Sequence, residues 1–297
     1  KNKQISYYET GIEHGTITAI IDEYKFEITS LRKDVSTDGR HAEVEFSLDW
    51  KEDASRRDFT INSIYSSFNG EIYDPHNGTK DLKNSIVKFI GKPTLRIKED
   101  RLRILRYFRF LSYFGCSLKV IDKTSMDASL KNFNLISSIS VERKSYEFYK
   151  LIFGEYAGSV LSLMKKEKVL HYLLPGLEKI KTSYLKVFDN LEFDKVLRIS
   201  YLLILSDINI EKLKKDLYLS KKEFDKINKI YHNFETAKIR NVEDAKSLKY
   251  RLGAEISIQI YYFRCFLKKN IKKKEIEDIL KNWIIPTFPL TGNDLKK

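Results

Sequence analysis

Residues 56–63, Arg-Arg-Asp-Phe-Thr-Ile-Asn-Ser, interleave charged, hydroxyl and amide groups with Phe59 and Ile61. Arg56 and Arg57 offer planar forks that match phosphate and ribose oxygens, while Asp58 and Asn62 can bond sugar hydroxyls or hold the arginines in place. A surface helix start with Asp58 near its N-terminus accounts for the same residues without a ligand. A second charged stretch, residues 99–109, reads Glu-Asp-Arg-Leu-Arg-Ile-Leu-Arg-Tyr-Phe-Arg. Its spacing predicts one helix, on which Glu99, Arg103 and Arg106 share a stripe roughly 60° wide with Arg109 beside it. Ile104, Phe108 and Leu111 occupy the opposite side. Arginines on a common face repel one another unless acidic side chains, or a bound anion such as a triphosphate, answer them.

Asp100 and Arg103 suit one further task. Cytosine and adenine both present an amino donor beside a ring-nitrogen acceptor, and a carboxylate with a guanidinium complements that pattern. Uracil and guanine present the reverse order and would leave groups unpaired, at about 1–3 kcal/mol each. Such a pair would select C and A without a nucleic-acid template. Residues 74–81, Asp-Pro-His-Asn-Gly-Thr-Lys-Asp, read instead as a turn, with Asp81 placed to cap the next element of the chain.

These residues need a scaffold that changes character along the chain. Stretches 14–21, 24–31 and 41–48 are rich in Ile, Thr, Val and Phe and read as strands. From Glu99 onward the apolar spacing is helical, with few glycines. Tyr261, Tyr262, Phe263 and Phe266 read as core. The 297 residues, 42% hydrophobic, suffice for about two domains. Every apolar run is broken by a charge, which excludes a membrane-spanning helix, and no signal peptide follows Lys1. Cys116 and Cys265 lie too far apart in sequence to suggest a zinc site or a disulfide framework. A net charge of +13 fits a polyanionic partner, and equally a Lys-rich composition without one. The lysines at 268, 269, 272, 273 and 274 read as a solvated face.

With these residues in view, the chain resembles the class II tRNA nucleotidyltransferases, the CCA-adding enzymes of bacteria and mitochondria and their poly(A) polymerase relatives. Residues 56–62 match the family's ribose- and nucleotide-contacting motif, with Ser63 where Ala is common. Glu99-Asp-x-x-Arg103 matches its base-reading motif, and Arg106 and Arg109 its triphosphate-side arginines. Residues 136–143 (Ile-Ser-Ser-Ile-Ser-Val-Glu-Arg) are similar to the neck motif, 283–292 to the tail, and 38–41 (Asp-Gly-Arg-His) to the loop that switches C to A addition.

The resemblance implies an α/β polymerase-β-like nucleotidyltransferase head, truncated at its N-terminus, followed by an all-α neck, body and tail. The expected divisions are a partial head over 1–95, a nucleotide- and RNA-binding neck over 96–165, and a helical body with partial tail over 166–297. It implies CCA addition to tRNA 3′ ends from CTP and ATP with Mg2+, in a bacterial cytoplasm or in mitochondria. A poly(A) or A-adding specialist, or an inactive tRNA-binding fragment, remain open alternatives. The nucleotide-binding residues carried over are Arg57, Asp58, Asn62, Glu99, Asp100, Arg103, Arg106 and Arg109. The family's Gly-Gly-x-Val-Arg-Asp segment and catalytic Asp-x-Asp pair are expected upstream of Lys1, since neither occurs in these residues. Glu43 and Glu45 read as solvated strand residues and Glu27 as a candidate third carboxylate, so no metal ligand is assigned.

Overall fold

A computed structural model describes residues 5–11, 15–37, 42–115, 118–190, 194–267 and 272–286. His14, the 38–41 loop, Cys116, Lys268, Lys269 and the tail from 287 onward lie outside them. The chain forms two compact units, Lys1–Pro175 with Lys181–Asn190, and Gly176–Ile180 with Leu191–Lys297.

The first unit opens with an antiparallel sheet of β1 (Ser6–Gly11), β2 (Thr16–Ile21) and β3 (Tyr24–Thr29). The register pairs Tyr7 with Ala19 and Ala19 with Phe26, so β-branched and aromatic residues line one face, as strands require. A separate pair follows, β4 (Arg32–Thr37) with β5 (Ala42–Phe46). The expected strand over 24–31 is therefore shorter, and β1 and β4 are additional. Both added strands carry polar or exposed residues that give little alternation to read.

After β5 come α1 (Trp50–Arg56), the hairpin β6 (Tyr65–Ser66) with β7 (Ile72–Tyr73), and α2 (Gly78–Lys83). Asp49 caps α1 by accepting from the Lys51 amide at 2.7 Å. Asp74, not Asp81, caps α2: its carboxylate accepts from the Gly78 and Thr79 amides at 2.7 and 2.8 Å. Asp81 accepts instead from the Thr60 hydroxyl at 2.7 Å, tying α2 to the arginine motif.

Helices then dominate: α3 (Pro93–Glu99), α4 (Leu102–Phe114), α5 (Lys123–Lys131), α6 (Val141–Phe153), α7 (Ala157–Lys166), α8 (Leu170–Leu173) and α9 (Thr182–Lys186). Their core is aromatic. Phe59 lies 4.7 Å from Phe89 by ring centroid, Phe89 stacks on Tyr107 at 5.7 Å, and Phe108 meets Phe133 edge-on at 5.4 Å. Phe59, Phe89, Tyr107, Phe108 and Phe133 are all buried, each such ring contributing about 2 kcal/mol. Phe59 thereby pins the arginine motif to α4.

The second unit is helical: α10 (Lys195–Leu205), α11 (Ile210–Asp216), α12 (Lys221–Thr236), α13 (Val242–Phe266) and α14 (Lys274–Asn282). Ser220 and Glu223 form a capping box on α12. Within α13, Gly253 takes φ 80°, ψ 167°, a conformation that no other residue type adopts readily, and the helix breaks there. Tyr261 and Phe263 are buried as expected, but Tyr262 turns its hydroxyl to Glu277 at 2.6 Å and Phe266 is partly exposed. Lys272 faces Glu277 at 3.4 Å, and Lys273 donates to the Arg240 carbonyl, so these two of the basic run have partners.

Candidate nucleotide-binding site

The arginine motif begins inside α1 and is organised by a residue that the sequence did not single out. Asp53 is buried on the first turns of α1, three and four residues before Arg56 and Arg57. Its Oδ1 accepts from Arg56 Nε and Nη2 at 2.9 and 2.6 Å, and from the Arg32 amide at 3.3 Å. Its Oδ2 accepts from Arg57 Nε and Nη2 at 3.2 and 3.1 Å, and from the Tyr65 hydroxyl at 2.7 Å. One carboxylate thus holds both guanidinium groups of the motif, with Arg57 also lying 5.3 Å over the Tyr65 ring. Burial alone would push the Asp53 carboxyl up, but the Tyr65 and Arg56 hydrogen bonds and both arginine charges outweigh it and hold it below the ordinary value. The Tyr65 hydroxyl is pushed up to about 12 by burial and by Asp53, so it stays a donor.

Asp58 points the other way, into α4. Its Oδ1 accepts from Asn62 Nδ2 at 2.9 Å and its Oδ2 from Arg106 Nε at 2.5 Å. Burial raises its pKa, yet the Arg106 charge and hydrogen bond more than reverse that. Asp58 and Asn62 are therefore brought together with Arg106, and Asp58 acts on an arginine rather than lying exposed at a helix start.

The single helix expected from Glu99 is a helix–break–helix. α3 ends at Glu99, Asp100 is extended at φ −147°, ψ 112°, and α4 starts at Leu102. Asp100 makes the break hold, since its Oδ1 accepts from the Leu102 amide at 3.0 Å. The shared stripe does not survive for Glu99, but α4 keeps Arg103, Arg106 and Arg109 on one side, while Ile104, Phe108 and Leu111 are buried. Each arginine has a partner: Arg103 bonds Glu99 and donates to the Arg96 carbonyl at 3.1 Å. Arg96 also bonds Glu99, at 2.9 Å. Burial works against the Glu99 charge, but the hydrogen bonds from Arg103 and Arg96 bring its pKa below normal.

Arg106 and Arg109 share Glu147 of α6, which the sequence reading missed: Arg109 Nη1 lies 3.2 Å from Oε2 and Arg106 Nη1 3.8 Å from Oε1. Glu147 is buried, and that burial outweighs both arginines to raise its pKa. Burial likewise lowers the Arg109 pKa, whereas for Arg106 the charges of Asp58 and Glu147 outweigh burial and raise it. Both guanidinium groups lie over the Phe110 ring, at 5.9 and 4.5 Å. Asp100 has its own cross-helix partner, Arg143, whose Nη2 lies 2.9 Å from Oδ2. The signal for Asp53 was its i,i+3 and i,i+4 spacing to the arginines; Glu147 had no local signal. Together these elements form a largely buried guanidinium array on carboxylate supports, with Arg57 and Arg106 its more exposed members, suited to an anionic ligand, with Asp100 at its edge.

Among the described residues no three His, Cys, Asp or Glu side chains come together to hold a metal ion. Glu27 sits exposed on β3 opposite Thr18, and Glu45 faces Lys33 at 3.7 Å.

Comparison with known proteins places this arrangement in context. Residues 1–88 match the family model described as the poly A polymerase head domain, and 120–181 the one described as a probable RNA and SrmB-binding site of polymerase A. The mitochondrial CCA tRNA nucleotidyltransferase 1 of Danio rerio is 34% identical over 97% of this chain and 68% of its own length. The human protein of that name is 35% identical over 97% and 67%. The CCA-adding enzyme of Bacillus pumilus is 38% identical over 58% of this chain and 42% of its own. In fold, a Bacillus stearothermophilus CCA-adding enzyme in complex with CTP superposes with TM-score 0.77 at 24% identity, covering 93% of this chain and 68% of that one.

Proposed function

The chain belongs to the CCA tRNA nucleotidyltransferase family, and from that premise we propose that the protein adds C, C and A to tRNA 3′ ends, using CTP and ATP. The observation that carries this reading is the presence, on adjoining elements, of a buttressed guanidinium array and an acid–guanidinium pair whose donor and acceptor order suits cytosine and adenine.

Arg57, fixed by Asp53, meets the nucleotide's sugar and phosphate. Asp58 and Asn62 hold that segment against Arg106, and Arg106 with Arg109 supports the triphosphate side. Asp100 and Arg103 read the base, with Glu99 steadying Arg103. We assign 1–95 to the head, 96–165 to the neck, and 166–297 to a body and tail that grip the acceptor arm by shape and charge. Magnesium, which such phosphoryl transfer uses to activate the 3′-hydroxyl and neutralise the phosphates, enters through the resemblance, and no ligand for it is assigned among the described carboxylates. The mitochondrial and bacterial origins of the relatives support a mitochondrial or cytoplasmic site of action.

The test is incorporation from CTP and from ATP, separately and together, on tRNA ending at the discriminator base. Ordered C, C, A addition is expected; use of ATP alone makes the protein an A-adding or poly(A) enzyme. Asp100→Ala and Arg103→Ala should each loosen discrimination against UTP and GTP about tenfold or more, with a smaller change in triphosphate affinity.

A further inference from the structure

The two base-reading groups carry opposite charge and stand three residues apart, Asp100 just before α4 and Arg103 in its first turn. Left alone, such a pair closes on itself, because i,i+3 neighbours at a helix start lie within ion-pairing reach. A pair closed on itself offers a base neither its carboxylate nor its guanidinium. In the structure each member is held away from the other. Arg103 is drawn to Glu99 and to the carbonyls of Arg96 and Arg56, and Asp100 is held at 2.9 Å by Arg143 from the first turn of α6.

Resting on the proposed function, we propose that Arg143 is a specificity-determining positioning residue, which keeps the Asp100 carboxylate open to the amino group of cytosine or adenine. Three observations support it. First, the contact joins residues 43 apart in sequence through two part-exposed side chains, 36% and 24%, so it faces space that a base can enter. Second, the bond leaves Asp100 with acceptor capacity: one oxygen takes the Leu102 amide and the other Arg143, and each retains a lone pair. Third, α6 places Arg143 and Glu147 one turn apart, and both act on the same neighbouring segment, Glu147 on Arg106 and Arg109 and Arg143 on Asp100. Helix α6 itself is anchored by buried Phe148, Leu151 and Ile152, so the template is rigid.

The test uses the full-length protein, with kcat and KM measured for CTP, ATP, UTP and GTP on a tRNA acceptor. Arg143→Ala and Arg143→Met, the latter keeping the aliphatic stem if the former folds poorly, should each lower the CTP-over-UTP ratio of kcat/KM about tenfold, the size of one charge-assisted hydrogen bond. Arg143→Lys, which can still reach one carboxylate oxygen, should restore most of it. The double variant Asp100→Ala with Arg143→Ala should be no less selective than Asp100→Ala alone, because Arg143 acts through Asp100. If Asp100→Ala loosens selectivity while Arg143→Ala and Arg143→Met leave it intact, the positioning role is overturned and the base reading stands. If Asp100→Ala also leaves selectivity intact, base reading by Asp100 fails and the proposal falls with it.

Discussion

Asp53→Asn isolates what one buried carboxylate does for the arginine motif. The substitution keeps the shape of the side chain and removes its charge. One of its two arms then becomes an amide NH2, which meets donors on either side: Arg56 and the Arg32 amide on one arm, Arg57 and Tyr65 on the other. At least one two-pronged arginine contact and one further bond are lost. Charge-assisted bonds of this kind are worth about 1.5–3 kcal/mol where buried, and the part exposure of Arg57 discounts its share. The expected loss of stability is about 2–4 kcal/mol, read by urea unfolding. Because Arg57 loses its anchor, KM for CTP should also rise about tenfold or more while α4-dependent base selectivity holds. The pH dependence fixes the sign. The Asp53 pKa is depressed in the folded state, so its contribution is complete above the ordinary Asp value of about 3.9 and is lost as pH falls through the lower folded value. The gap between wild type and Asp53→Asn should therefore narrow only in strong acid. A variant within about 0.5 kcal/mol of wild type at pH 7, with CTP KM unchanged, would show that Asp53 does not anchor the two arginines.

Two further substitutions probe the supports. Glu147 has a raised folded pKa, so its protonation favours the fold below the unfolded value near 4.3 and that benefit fades as pH rises through the folded value. Glu147→Gln should accordingly compare better with wild type at pH 7 than at pH 4 in matched denaturant melts; the opposite trend would show that the arginine pairing outweighs burial. Gly78→Ala places a Cβ 2.1 Å from the Thr60 carbonyl oxygen and 2.7 Å from its carbon, so α2 must shift off the arginine motif. It should cost about 1–3 kcal/mol, and an unchanged unfolding midpoint would contradict that close approach.

Much of the site was legible because its chemistry is local. The run from Arg56 to Asn62 announced itself by mixing ligand-binding groups with Phe59, which proves to be its buried anchor. The order of strands before helices also followed from periodicity, since α4 carries a clean apolar stripe. What stayed hidden depends on groups distant in sequence or on polar caps. The break at Asp100 contains neither Gly nor Pro; only a carboxylate turning back to the Leu102 amide reveals it. Glu147 reads as an ordinary helix residue until α6 packs on α4. Asp53 sits where helix dipoles favour acids, so its pairing with Arg56 and Arg57 was camouflaged by a commonplace role. β4 was concealed because its sequence, Arg-Lys-Asp-Val-Ser-Thr, offers one apolar residue for a strand.

The kink at Gly253 divides a run of 25 residues that composition alone would treat as one rod. Ser257 sits at the joint with its one hydroxyl proton shared between the carbonyls of Gly253 and Leu248, at 2.6 and 3.1 Å, so a side chain ties the two segments together across the kink. Cooperativity in a helix travels through the peptide hydrogen-bond ladder, each bond lowering the entropy of forming the next. At Gly253 the backbone leaves helical φ/ψ, so the run behaves geometrically as two rods meeting at a serine-tied corner rather than as one.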